Sequence, residues 1–71
     1  MEYTVVLHKA EEGGFWVEVP SLPGCFSQGE SLDETLKNAG KAIKSHLQAL
    51  KEDGQPIPTD EGLLLGRVRV A

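Results

Sequence analysis

Hydrophobic and polar positions alternate first along Tyr3 to Lys9, where Tyr3, Val5 and Leu7 interleave with Thr4, Val6 and His8. A period of two with β-branched residues predicts a strand. Ala10-Glu11-Glu12-Gly13-Gly14 follows as a polar turn, and such a link between strand patterns predicts a hairpin. The second strand is Phe15 to Val19, with Phe15, Val17 and Val19 on one face and Trp16 and Glu18 on the other. Pro20 stops it, because proline has no amide to give to a ladder. In Leu22-Pro23-Gly24-Cys25, proline followed by glycine predicts a type II turn. A short third strand, Cys25 to Gln28, then runs to Gly29.

The period changes at Ser31. Ser31-Leu32-Asp33-Glu34 is a capping box, in which the serine can accept from the Glu34 amide and Glu34 can reach back to the Ser31 amide. Leu32, Leu36, Ala39, Ile43, Leu47 and Leu50 then recur at helical spacing and predict one amphipathic helix. Its first turn carries Asp33 and Glu34 and its end carries Lys51, both favourable to the helix dipole. Gly54 is the expected stop, with Pro56 and Pro58 beyond it. Gly40 is a weak point of up to ~1 kcal/mol against alanine, and its bare backbone is expected to lie close on the sheet. After a polar connection, Leu63 to Val70 alternates again, with Leu64, Val68 and Val70 on one face and Leu65, Arg67 and Arg69 on the other.

The predicted fold is α+β, in the order β-β-β-α-β. Three strands form an antiparallel meander. A right-handed crossover through the helix brings the fourth strand parallel to the first, giving the order 3-2-1-4 with one helix on one face. Leu36, Ile43 and Leu47 are expected to pack on Leu7, Phe15, Val17 and Val68. The opposite face then carries Val6, His8, Trp16, Leu65, Arg67 and Arg69, with either Cys25 or Phe26. Trp16 beside Val6 and Leu65 makes an apolar patch, which points to an interface.

Composition narrows the function. A chain of 71 residues is expected to be one domain, 1–71, with a small core. No apolar run approaches a membrane span, and no basic segment precedes a long apolar stretch as in a signal peptide, so the expected location is the cytoplasm. The one cysteine excludes an internal disulfide and any zinc site built on cysteine pairs. Unstapled domains of this size often gain stability by association, and a homodimer or higher even-numbered oligomer through the uncovered face is expected. The formal charge of −4 argues against general nucleic-acid binding and suits a basic protein partner. Cys25 has no histidine placed beside it as a base. His8 and His46 form no metal motif, and the paired acids fall in turns or at a helix end. The expectation is a binding protein and not an enzyme, with no metal or cofactor.

The stretch Gly14 to Gly29, with its Pro20-Ser21-Leu22-Pro23-Gly24-Cys25 turn, followed by Ser31 to Ile43 with Asn38 and Ala42-Ile43, resembles the HicB-like antitoxin family. The resemblance implies a partial RNase-H-like fold and a type II toxin–antitoxin pair, in which the antitoxin blocks a small basic ribonuclease. Ser21 and Thr35 stand where the family often has Asp and Ala. Family members often add a C-terminal DNA-binding domain; this chain shows none, so DNA binding is not expected. The first strand reads Thr4-Val5-Val6-Leu7-His8 where an RNase-H-like nuclease needs a central aspartate. Candidate partner-binding residues are Glu11, Glu12, Trp16, Glu18, Phe26 and Glu30. The competing readings are an orphan oligomeric interaction module without a toxin and a degenerate RNase-H-like protein that binds RNA.

Overall fold

The computed structural model describes residues 1–71. Three antiparallel strands, β1 (Val6–Lys9), β2 (Phe15–Glu18) and β3 (Phe26–Gly29), form one sheet in the order β1-β2-β3. Leu7 faces Val17 across the first pair, and Val17 faces Ser27 across the second. Helix α1 (Leu32–Glu52) covers one face, and its axis runs over β2 and β3 without reaching β1.

The local signals explain these elements. Gly13 and Gly14 both take positive φ in the β1–β2 turn, a conformation that costs glycine nothing. Gly24, at φ 85°, closes the Leu22–Cys25 turn, in which the Cys25 amide donates to the Leu22 carbonyl at 3.0 Å. Ser31 caps α1 by accepting from the Glu34 amide at 3.1 Å. Glu34 reaches back one residue further than expected and accepts from the Glu30 amide at 3.4 Å. At the other end, Gly54 has φ 69°, the Gln55 amide donates to the Leu50 carbonyl at 2.9 Å, and the Gly54 amide donates to Lys51 at 3.1 Å. That double bond over a left-handed glycine is a Schellman stop.

The core departs from the apolar stripe. Val19, Leu22 and Cys25 are buried together, with Tyr3, Val5, Ala42, Ile43, Leu47 and Leu50 packed around them. Val17, Thr35 and Ala39 are buried as well. Leu32 and Leu36 are 49% and 46% exposed, so the helix is rotated away from the predicted face and Leu36 is not a core residue. The cause lies at its first turn. A Cβ on Gly29 would lie 2.7 Å from the Thr35 amide nitrogen, so β3 and α1 meet almost backbone to backbone there. Thr35 is buried without cost because its hydroxyl donates to the Ser31 carbonyl at 2.6 Å. The close approach predicted for Gly40 is therefore corrected: it is exposed, with nothing near it, and Gly29 has that role.

The predicted fourth strand is also corrected. Leu63 to Val70 pairs with nothing; Leu64 is 99% and Val68 87% exposed. Val68 therefore makes no core contact, and Leu65, Arg67 and Arg69 do not lie on the sheet. Before it, residues 58–61 are tied to the start of the chain and to the β2–β3 turn. Thr4 and Ser21 donate to the Asp60 carboxylate at 2.7 and 3.1 Å, and the Tyr3 hydroxyl donates to the Pro58 carbonyl. These bonds fix the departure point at Gly62, where φ is 77° and the chain turns away from the sheet.

Candidate functional site

The sheet face opposite α1 is built by strand parity, because alternate residues point to opposite sides. Val17 turns inward on β2, so Trp16 and Glu18 turn outward. Their cross-strand partners follow: His8 and Gln28 flank Trp16, and Val6 and Phe26 flank Glu18. The His8 ring stacks on Trp16 with centroids 4.0 Å apart and planes 14° apart. Phe26 lies on the other side of Trp16 at 6.3 Å, tilted by 47°. Three rings thus run across three strands, and Phe26 is still 59% exposed. His8 Nε2 lies 3.4 Å from Glu18 Oε2, but the pair lacks the alignment of a hydrogen bond.

One end of this face is acidic. In a meander the β1–β2 turn sits beside the end of β3, and a Cβ on Gly14 would lie 2.7 Å from the Gly29 carbonyl oxygen. That proximity joins the hairpin turn to the β3–α1 junction. Between them lies a cleft of about 650 Å³, walled by Phe15 and Trp16 and rimmed by Glu12, Glu30 and Glu34. Glu11 borders an adjoining hollow that also touches Glu12 and Trp16. Asn38, one wall of the cleft, donates from Nδ2 to the Gln28 carbonyl at 2.7 Å and fixes the helix against β3.

Of the sequence-predicted residues, Glu12, Trp16 and Glu30 are therefore brought to one cleft, with Glu11 beside it. Glu18 and Phe26 lie further along the same face and connect to the cleft through Trp16. Glu34 and Asn38 were not among the candidates. Glu34 was assigned only to capping, yet because α1 starts at the sheet end its first turn also borders the cleft.

Cys25 is buried, and burial pushes its thiol above its ordinary pKa, the wrong direction for a nucleophile. His46 does line the same shallow depression as Cys25, a neighbourhood absent from the sequence reading, but no hydrogen bond joins them. No three metal-ligating side chains converge. No helix is long and apolar enough to cross a membrane.

The fold and its sequence have known counterparts. The family described as "HicB_like antitoxin of bacterial toxin-antitoxin system" matches residues 3–64. The UPF0150 protein Ta0767 of Thermoplasma acidophilum is 45% identical over 60 residues, which are 84% of this chain and 87% of that protein. The crystal structure of the N-terminal domain of the Burkholderia pseudomallei antitoxin HicB is similar with a TM-score of 0.75 at 35% identity, over 87% of this chain and 73% of that one. A chain of the HicA3 and HicB3 toxin–antitoxin complex is similar with a TM-score of 0.69, also at 35% identity, over 80% of this chain and 65% of that one.

Proposed function

The chain belongs to the HicB-like antitoxin family, and from that premise we propose that it binds and neutralises a small basic ribonuclease and does no chemistry itself. The observation that carries this reading is the ring cluster of His8, Trp16 and Phe26 with carboxylates at its border. A basic ribonuclease must hold RNA phosphates with lysine or arginine. Glu11, Glu12, Glu30 and Glu34 at one end, and Glu18 on the face, offer those cations charge-assisted partners in place of phosphate. Charge steers the encounter, while the buried aromatic contact holds the complex. Trp16 borders both the cleft and the flat ring surface, so it is the proposed anchor. That a toxin–antitoxin complex contains a chain of this fold at 35% identity supports a protein partner.

The test looks for a small basic protein encoded beside this one, co-expresses the two, and follows with binding kinetics of the purified pair. Growth rescue is expected from the native protein. Trp16→Glu should abolish rescue and binding without unfolding the domain. Changing Glu12, Glu30 and Glu34 together to Gln should slow association and flatten its salt dependence. Full rescue and tight binding by both variants would overturn this placement of the site, and cleavage of RNA by the purified protein alone would overturn the antitoxin reading.

A further inference from the structure

We infer that His8 gates the outer face by its charge: the neutral ring leaves Glu18 open to a cation of the basic partner, and the protonated ring engages Glu18 and turns that partner away. The inference rests on the reading of this face as the partner's site and adds its regulation.

The geometry begins with one nitrogen. His8 Nε2 is shielded from water and makes no hydrogen bond, although Glu18 Oε2 lies 3.4 Å away. A carboxylate only accepts, and a neutral imidazole carries one N–H and one lone pair. With the lone pair on Nε2, two acceptors face each other. With both nitrogens protonated, Nε2 always presents a donor, and a small turn of either side chain makes the contact a charge-assisted pair. The second contact is with the indole. The His8 and Trp16 rings are 4.0 Å apart and nearly parallel, at 14°, so a charged ring lies over the indole face, within the ~6 Å reach of cation–π attraction. One proton therefore changes both contacts at once.

Within the sheet, no other charged group faces the ring. The remaining outward residues are Val6 on β1 and Phe26 and Gln28 on β3, and α1 lies on the opposite side. Lys9, Glu11 and Glu12 line the hollow beside Trp16, and Glu30 and Glu34 the cleft; none of those carboxylates pairs with His8. Asp60 is held by Thr4 and Ser21. Protonation takes the pair of His8 and Glu18 from one negative charge to none. It also places a cation against Trp16, where a lysine or arginine of the partner would land, and like charges oppose association there. The two side chains keep 39% and 36% exposure, so solvent screens the effect and the expected change is several-fold. Histidine is the side chain that ordinarily changes charge between about pH 5 and about pH 8, so the face holds a basic partner at the upper end of that range and releases it at the lower.

The test uses the isolated protein, whose one tryptophan is Trp16, and labelled hexa-arginine as the cationic probe. Trp16 fluorescence, recorded from about pH 8 to about pH 5, should fall in one step, because an imidazolium stacked on an indole quenches its emission. The step should be absent from His8→Gln and unchanged in His46→Gln, with the same circular dichroism in all three proteins. The dissociation constant for hexa-arginine should rise several-fold over that range in the native protein and in His46→Gln, and His8→Gln should lose most of the rise. A flat fluorescence trace, or a step that survives His8→Gln, overturns the inference. So does a step that depends on His8 while binding follows the same pH course in the native protein and His8→Gln; in each of these cases the antitoxin reading stands. Failure of the native protein to bind hexa-arginine at any pH overturns the face as a cation site, and the gate with it.

Discussion

Replacing Leu22 by Ala tests whether the Leu22-Pro23-Gly24-Cys25 turn is a core element and not merely a connection. Leu22 is fully buried, at 0% exposure, with Val19 and Cys25 beside it and Val5, Ile43, Leu47 and Leu50 around them. The change removes three carbons, about 2.4 kcal/mol at ~0.8 kcal/mol each. A cavity term adds to this, and measured leucine-to-alanine losses reach about 5 kcal/mol where the site cannot collapse. Collapse is hindered here because three backbone bonds brace the turn: Leu22 to Val19 at 2.9 Å, Cys25 to Leu22 at 3.0 Å, and Val19 to Cys25 at 3.2 Å. The expected loss is therefore about 3–4 kcal/mol. A domain of 71 residues has roughly 4–11 kcal/mol in total, at ~0.05–0.15 kcal/mol per residue, so the variant should stand at or near the limit of folding. Urea denaturation followed by circular dichroism, at matched concentration so that association does not intrude, measures the difference. Pro23→Ala, an exposed change in the same turn, serves as the control and should cost under about 1 kcal/mol, the scale of a turn proline's effect. A Leu22→Ala loss below about 1 kcal/mol, or one matched by Pro23→Ala, would refute the packing account.

Two further changes address the joints of the fold. Gly29→Ala should destabilise by about 1–3 kcal/mol, because its Cβ would lie 2.7 Å from the Thr35 amide nitrogen, a backbone atom that cannot swing aside; a neutral thermal midpoint would show that the helix is not seated there. The Asp60 carboxyl is held below its ordinary range, first by the hydrogen bond from the Thr4 hydroxyl and then by the Thr4 backbone. A pKa lower in the folded than in the unfolded state contributes stability above the unfolded value, ~3.9, and that contribution disappears as the pH falls through the folded value. Asp60→Asn should therefore lower the denaturation midpoint at neutral pH, and the gap to the native protein should close in acid; a gap that stays constant into the acid range would remove Asp60 from the linkage.

The elements whose signals are local were legible in the sequence. The capping serine, the left-handed glycine at the helix end and the Pro-Gly turn act within a few residues, and the helix and the first three strands form where those signals fall. The rotation of the helix was not legible. The apolar stripe points to Leu36, yet Thr35 is buried in its place, because the Gly29 contact sets the angle and the Ser31 carbonyl satisfies the threonine hydroxyl. Counting apolar residues cannot detect a polar side chain whose partner comes from its own cap. The tail failed for a related reason. Alternation establishes that Leu63 to Val70 can be a strand, but pairing also needs an edge and a covered face, and both depend on where α1 lies. The site shows the same division. Parity alone put Trp16 and Glu18 on the outer face, whereas the convergence of Glu12, Glu30 and Glu34 depends on the hairpin turn meeting the β3–α1 junction.

The distribution of charge argues that the outer face suits a partner of opposite sign better than a second copy. A dimer formed through the outer face would bring Glu18, and the carboxylates of Glu11, Glu12 and Glu30 at its acidic end, of one copy toward the same residues of the other. Like charges placed opposite one another in an interface oppose association, and Arg67 and Arg69, the cations expected to relieve this, are not on that face. The same carboxylates attract a basic partner, whose cations would neutralise them while Phe26 and the stacked pair of His8 and Trp16 lose water.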